Sequence, residues 1–114
     1  MDPWYSLGSG DMLEVAAMGL HVAQMTSQDG MRACFDAVTV NAAKVMGLPG
    51  YGIEVGSYAD FVLLQARDPI EAIRLRANRL MVVRRGRVVA HTPAATAALY
   101  LQDRPQSVDW TLRR

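Results

Sequence analysis

A second cysteine is missing from this chain. Cys34 is the single one, which excludes an intramolecular disulfide and a Cys-x-x-Cys metal site and fits a reducing compartment, so cytoplasmic localisation is the expectation. An excess of one charge is also missing: 12 basic against 11 acidic residues leave a formal net charge of +1. No field of one sign is available to draw in nucleic acid or an anionic membrane, so neither is an expected partner. No uncharged run approaches the ~20 apolar residues of a spanning helix, and the amino terminus has no basic region followed by an apolar core. Internal repeats and Gly/Ser-rich or Pro-rich linkers are absent as well. At 114 residues the chain is too short for a closed eight-stranded α/β barrel, which takes roughly 250.

What is present is a globular composition, 51% apolar and 20% charged, divided near Gly47-Leu-Pro-Gly-Tyr-Gly52. Before that punctuation the periodicity is helical. Asp11 with Glu14 three residues on forms a capping-box-like start, and Met12, Val15, Ala16, Gly19, Val22 and Ala23 recur at intervals of three and four, predicting one buried face. A second helix is expected over Met31 to Val38 after an Asp29-Gly30 turn, and a third from near Thr39 to a left-handed stop at Gly47. After the punctuation the pattern becomes strand-like: Asp60 to Leu64, Leu80 to Val83 and Arg87 to Ala90, the last two joined by a tight turn at Arg85-Gly86. Asp68-Pro69 opens a short helix to Arg76, with proline where its missing amide is harmless. The tail from Ala94 to Leu101 reads as weak helix or extended cover.

Two sets of residues carry a resemblance. Thr39-Val-Asn-Ala-Ala-Lys-Val-Met-Gly-Leu48, Gly52-Ile53, Gly56, Ala59-Asp60 and Gly86-Arg-Val-Val89 are similar to the closing segment of the amidohydrolase superfamily. Asp2-Pro-Trp-Tyr-Ser-Leu-Gly8, Met12-Leu13 and Met18-Gly-Leu-His-Val22 resemble, within it, the segment after the last barrel strand of bacterial cytosine deaminases. The fold class this implies is α/β, a carboxy-terminal portion of a metal-dependent TIM-barrel hydrolase. Residues 1–49 would end the barrel, and residues 50–114 would form part of the adjoining β-sandwich and a tail. The implied chemistry is hydrolysis of a C–N bond in a cyclic amidine, in which iron or zinc lowers the pKa of a bound water that attacks the amidine carbon and ammonia leaves. Pyrimidines are the implied substrates, with triazines as the competing class.

The family's metal ligands, a His-x-His pair, a later His and an Asp, have no counterparts here, the Asp falling before Met1 in the resemblance. The expectation is therefore no metal bound by this chain and no turnover by it alone, with marginal stability. A partner module completing a split amidohydrolase, a homo-oligomer and a truncated remnant remain the alternatives.

Individual residues have competing readings. Trp4 matches an aromatic at the mouth of the family's pyrimidine pocket and is the one substrate-binding candidate; without a substrate it reads as a packing residue. Asp2 comes too late in the motif to be the metal aspartate and reads as a loop cap. His21 and His91 are each solitary, and one imidazole does not make a metal site. Cys34 has no companion base. Arg84, Arg85 and Arg87, with Arg79 nearby, could contact phosphate, but charges at a hairpin tip also block edge pairing, and that is the preferred reading. The seven methionines read as flexible core filler.

Overall fold

The computed structural model describes residues 8–104 and the backbone of 107–108. Its elements are α1 (Met12–Val22), α2 (Gln28–Ala37), α3 (Val40–Val45), β1 (Phe61–Leu64), α4 (Pro69–Leu75), β2 (Arg79–Arg84), β3 (Arg87–His91), β4 (Ala97–Ala98) and β5 (Ser107–Val108). Three helices precede β1, and α4 separates it from β2, so helices and sheet are mixed as the α/β expectation required. Among the described residues no helix is long and apolar enough to cross a membrane.

Helix α1 starts at Asp11, whose carboxylate accepts the Leu13 N–H at 2.7 Å. Glu14 does not turn back to the cap, as a capping box would; its Oε2 accepts the N–H of Ser9 at 3.2 Å and the Ser9 hydroxyl. The buried face also differs from the one expected. Leu13, Ala16 and Leu20 point inward, whereas Val15 is 53% and Val22 77% exposed, with Met12 and Met18 exposed beside them. The helix is apolar on more than one side, so periodicity alone does not decide which side meets its neighbours.

Asp29-Gly30 is not a turn. Ser27 caps α2 by accepting the Gly30 N–H at 3.1 Å, which places both residues in the helix's first turn. Glycine is needed there because a Cβ would stand 2.8 Å from the carbonyl oxygen of Met25. Helix α3 ends where expected, with Gly47 at φ +62°. In α4, Asp68 accepts the Glu71 N–H at 2.8 Å, Pro69 takes the first turn, and Arg76 closes the helix in the left-handed region.

The three-stranded sheet has the antiparallel order β1-β2-β3. Phe61 faces Val83, Leu63 faces Met81, Val82 faces Ala90 and Arg84 faces Arg87, with bulges after Leu63 and Val82. The β2–β3 turn holds Arg85 at φ +49° and Gly86 at φ +74°, the two positive φ values of a turn that matches strand twist. The tail is extended rather than helical: β4 pairs with β5, and the Gln65 side-chain amide grips the backbone of Ala95, donating at 2.8 Å and accepting at 3.0 Å.

One buried cluster joins Leu13, Ala16 and Leu20 of α1, Cys34 of α2, Ala72 and Ile73 of α4, and Ala77. Helix α4 thus packs against α1 and α2, and the cluster draws on residues from both sides of Pro49. Its members are mostly small, and among the described residues no large side chain is wholly enclosed. A great deal of apolar surface stays outside: Phe61, Val62, Leu63, Val88 and Val89 of the sheet, and Ile53 and Val55 of the preceding loop, the former 91% exposed.

Candidate functional site

The most constrained polar arrangement lies where α1 begins. Arg79, the first residue of β2, lays its guanidinium against the Asp11 carboxylate with both N–H···O contacts at 2.6 Å. The residues are 68 apart in sequence. Two parallel charge-assisted bonds of this sort fix orientation as well as distance. The Arg79 hydrogen bonds are the leading reason why the Asp11 pKa falls from 3.8 to about 2; the same bonds raise that of Arg79. Asp11 is therefore both helix cap and ion-pair partner. Around it the Asp11 N–H donates to Ser9 Oγ at 3.3 Å, and Glu14 holds Ser9. The Ser9 hydroxyl, more than any other group, lowers the Glu14 pKa.

Beside this junction a groove of about 610 Å³ runs between α1 and α4, with Ala17, Leu20, Met31 and Ile73 among its apolar walls and Glu14, His21, Arg74 and Arg76 among its polar ones. Beneath α4 the carboxylate of Glu71 is buried and satisfied. It accepts the Arg67 N–H at 2.8 Å and the Arg67 guanidinium at 3.2 and 3.3 Å, with Arg74 at 3.7 Å. The Arg67 backbone bond is the main cause of its lowered pKa.

A third arrangement holds the loop before β1 to the hairpin tip. The Arg85 guanidinium stacks 3.6 Å above the Tyr58 ring, its backbone N–H donates to Asp60, and its Nε lies 3.7 Å from Asp60 Oδ2. Tyr58 in turn leaves room only for glycine at position 50. The four arginines grouped in the sequence are thus divided: Arg79 leaves the tip for Asp11, Arg85 is committed to Tyr58 and Asp60, and Arg84 and Arg87 are exposed at the turn.

Trp4, the substrate-binding candidate, and Asp2 lie outside the described residues. His21 is exposed on α1 and His91 is exposed at the end of β3. Cys34 is buried, with its Sγ 3.8 Å from Met25 Sδ. Among the described residues no three His, Cys, Asp or Glu side chains gather as metal donors would. They do not make an iron or zinc site. The sequence groups Arg79 with the hairpin arginines, and nothing local marks its pairing with Asp11, 68 residues away.

The amidohydrolase family matches residues 1–90, and the chain belongs to that family. It is 34% identical over 89 residues to N-isopropylammelide isopropyl amidohydrolase of Pseudomonas sp. (strain ADP), an alignment that takes in 77% of this chain and 22% of that protein. Among solved structures it superposes on 5-methylcytosine deaminase from Klebsiella pneumoniae liganded with 5-fluorocytosine, with a TM-score of 0.79 and 34% identity, covering 86% of this chain and 24% of the other. N-isopropylammelide isopropylaminohydrolase from Burkholderia multivorans ATCC 17616 gives a TM-score of 0.74 and 36% identity over 79% of this chain and 23% of that one. The chain therefore spans about a quarter of the length of these relatives.

Proposed function

We propose that this chain serves as the carboxy-terminal part of an amidohydrolase that cleaves an exocyclic C–N bond of a pyrimidine or triazine ring, water supplying the hydroxyl and ammonia or an amine leaving. The observation that carries the reading is the joint match in sequence and backbone, 34–36% identity at TM-scores of 0.74 to 0.79. The proteins so matched are named as a 5-methylcytosine deaminase and an N-isopropylammelide hydrolase. Iron or zinc would be held by the rest of such an enzyme and would supply an activated water. In this reading Trp4 forms part of the wall against which the flat ring packs. The chain alone turns over neither substrate and carries no stoichiometric metal. A cytoplasmic setting goes with the same reading.

The partner implied is the barrel portion of an amidohydrolase, either on the same polypeptide or as a separate chain; a second copy of this chain is the competing occupant. What favours a large protein partner is the amount of apolar surface left outside, on α1, on the sheet and at Ile53 and Val55. The test replaces the matching quarter of the Klebsiella deaminase with this chain and measures ammonia from cytosine and 5-methylcytosine and amine from N-isopropylammelide. Release from any of them supports the reading. A folded, metal-loaded chimera that releases nothing removes it and leaves a truncated remnant.

A further inference from the structure

Arg84 and Arg87 stand opposite each other across the β2–β3 turn, both exposed, and like charges in that position destabilise a sheet. Guarding a strand edge accounts for Arg87, on β3, but not for Arg84, because β2 is the central strand. Neither arginine has an acidic partner among the described residues; the nearby Asp60 carboxylate is taken by Arg85. The same end of the molecule carries the loop from Gly50 to Tyr58. Its neck is closed by the Tyr58 N–H donating to the Gly50 carbonyl at 2.9 Å, and its tip is turned by the Ser57 N–H donating to the Glu54 carbonyl at 3.1 Å. The Gly86 N–H, donating to the Ala59 carbonyl at 3.0 Å, and the stacking of Arg85 on Tyr58 fasten the loop to the hairpin tip. Ile53 and Val55 are thereby held as open to solvent as in an unfolded chain. Between them Glu54 is exposed and has no cation beside it among the described residues.

We propose that this end is a self-complementary surface on which a second copy of the chain docks about a twofold axis. Ile53 and Val55 of the two copies pack at the centre, and Glu54 of each copy lies against Arg84 and Arg87 of the other. In a twofold pairing one patch serves as both halves of the interface, and this patch combines an apolar centre with an anion and two cations. The loop, already fixed within the chain, has little freedom to lose on docking. A small anion at the arginines would leave Ile53 and Val55 in water; a second copy accounts for the charges and the apolar side chains together. The inference goes beyond the functional reading and does not depend on it. Of the apolar surface described above, the pairing takes Ile53 and Val55 and leaves the sheet and the outward side of α1 to the barrel portion of an amidohydrolase.

Sedimentation velocity of the full chain, followed up to about 0.5 mM because small interfaces are weak, should show a monomer–dimer equilibrium. Glu54→Arg, and Arg84→Glu combined with Arg87→Glu, each set like charges across the interface and should weaken dimerisation about tenfold or more. Circular dichroism matching the parent shows that the fold is kept. An equimolar mixture of these two variants restores both attractive contacts and should dimerise as the parent does. Ile53→Ser with Val55→Ser, which leaves every charge in place, should also be monomeric. A parent that stays monomeric throughout, a folded charge-reversal variant that dimerises like the parent, or a mixture of folded variants that stays monomeric would each overturn the assignment. Should a charge reversal cost the fold, the serine variant decides: retained dimerisation overturns the inference, and its loss supports it.

Discussion

The Asp11 carboxylate and the Arg79 guanidinium meet through two hydrogen bonds of 2.6 Å, tying the first turn of α1 to the first residue of β2. Because the folded pKa of Asp11 is depressed to about 2, its contribution is fully present above the ordinary aspartate range and is lost as pH falls through 2. Asp11→Asn, which keeps a capping oxygen but removes the charge, should cost about 1 kcal/mol at pH 7 after allowance for solvent screening. Urea unfolding at pH 7 and at pH 2 checks this: the gap between parent and variant should narrow at the lower pH. A gap that persisted at pH 2 would mean that the cap, not the ion pair, sets the cost.

Gly50 stands at φ +66°, and a Cβ there would lie 2.7 Å from Cδ2 and 2.8 Å from Cε2 of Tyr58. Gly50→Ala combines backbone strain with a clash and should destabilise by about 1–3 kcal/mol. The Tyr58→Leu background should relieve the steric part while leaving the conformational part. Additive costs in a double-mutant cycle would show that the ring is not what excludes the methyl group.

Ile73 is 3% exposed in the cluster that joins α1, α2 and α4. Ile73→Ala should cost about 2–5 kcal/mol, the range for truncating a buried aliphatic side chain, and thermal unfolding followed by circular dichroism would measure it. A loss below half a kilocalorie would mean that α4 does not pack there.

Val15 and Val22 lie on the outward apolar side of α1. Val15→Lys with Val22→Lys should change the stability of this chain by no more than about 0.5 kcal/mol per site, as exposed substitutions do, yet prevent its assembly with an amidohydrolase barrel. Size-exclusion chromatography of the chain with a separately expressed barrel portion reads out assembly. Unimpaired complex formation by the double variant would remove α1 from the interface.

Local grammar was legible in the sequence wherever one residue type decides the backbone. Asp68-Pro69 opened α4, Gly47 ended α3 and Arg85-Gly86 made the hairpin turn, because capping, fixed φ and positive φ depend on neighbours in sequence. The family was legible too, and the match over residues 1–90 bears it out. The buried face of α1 was not, for Met12, Val15 and Val22 are as apolar as Leu13, Ala16 and Leu20, and only α2 and α4 decide between them. Asp29-Gly30 misled because a glycine required by the close approach of Met25 looks in sequence like a glycine required by a turn. Arg79 was grouped with the hairpin arginines by proximity in sequence, while its partner is 68 residues away.

Ammonia or amine release by the Klebsiella deaminase carrying this chain in place of its own matching quarter tests the functional reading most directly. Metal-dependent release from cytosine, 5-methylcytosine or N-isopropylammelide, abolished by Val15→Lys with Val22→Lys, is the expected result. A folded, metal-loaded chimera silent on all three substrates would contradict it.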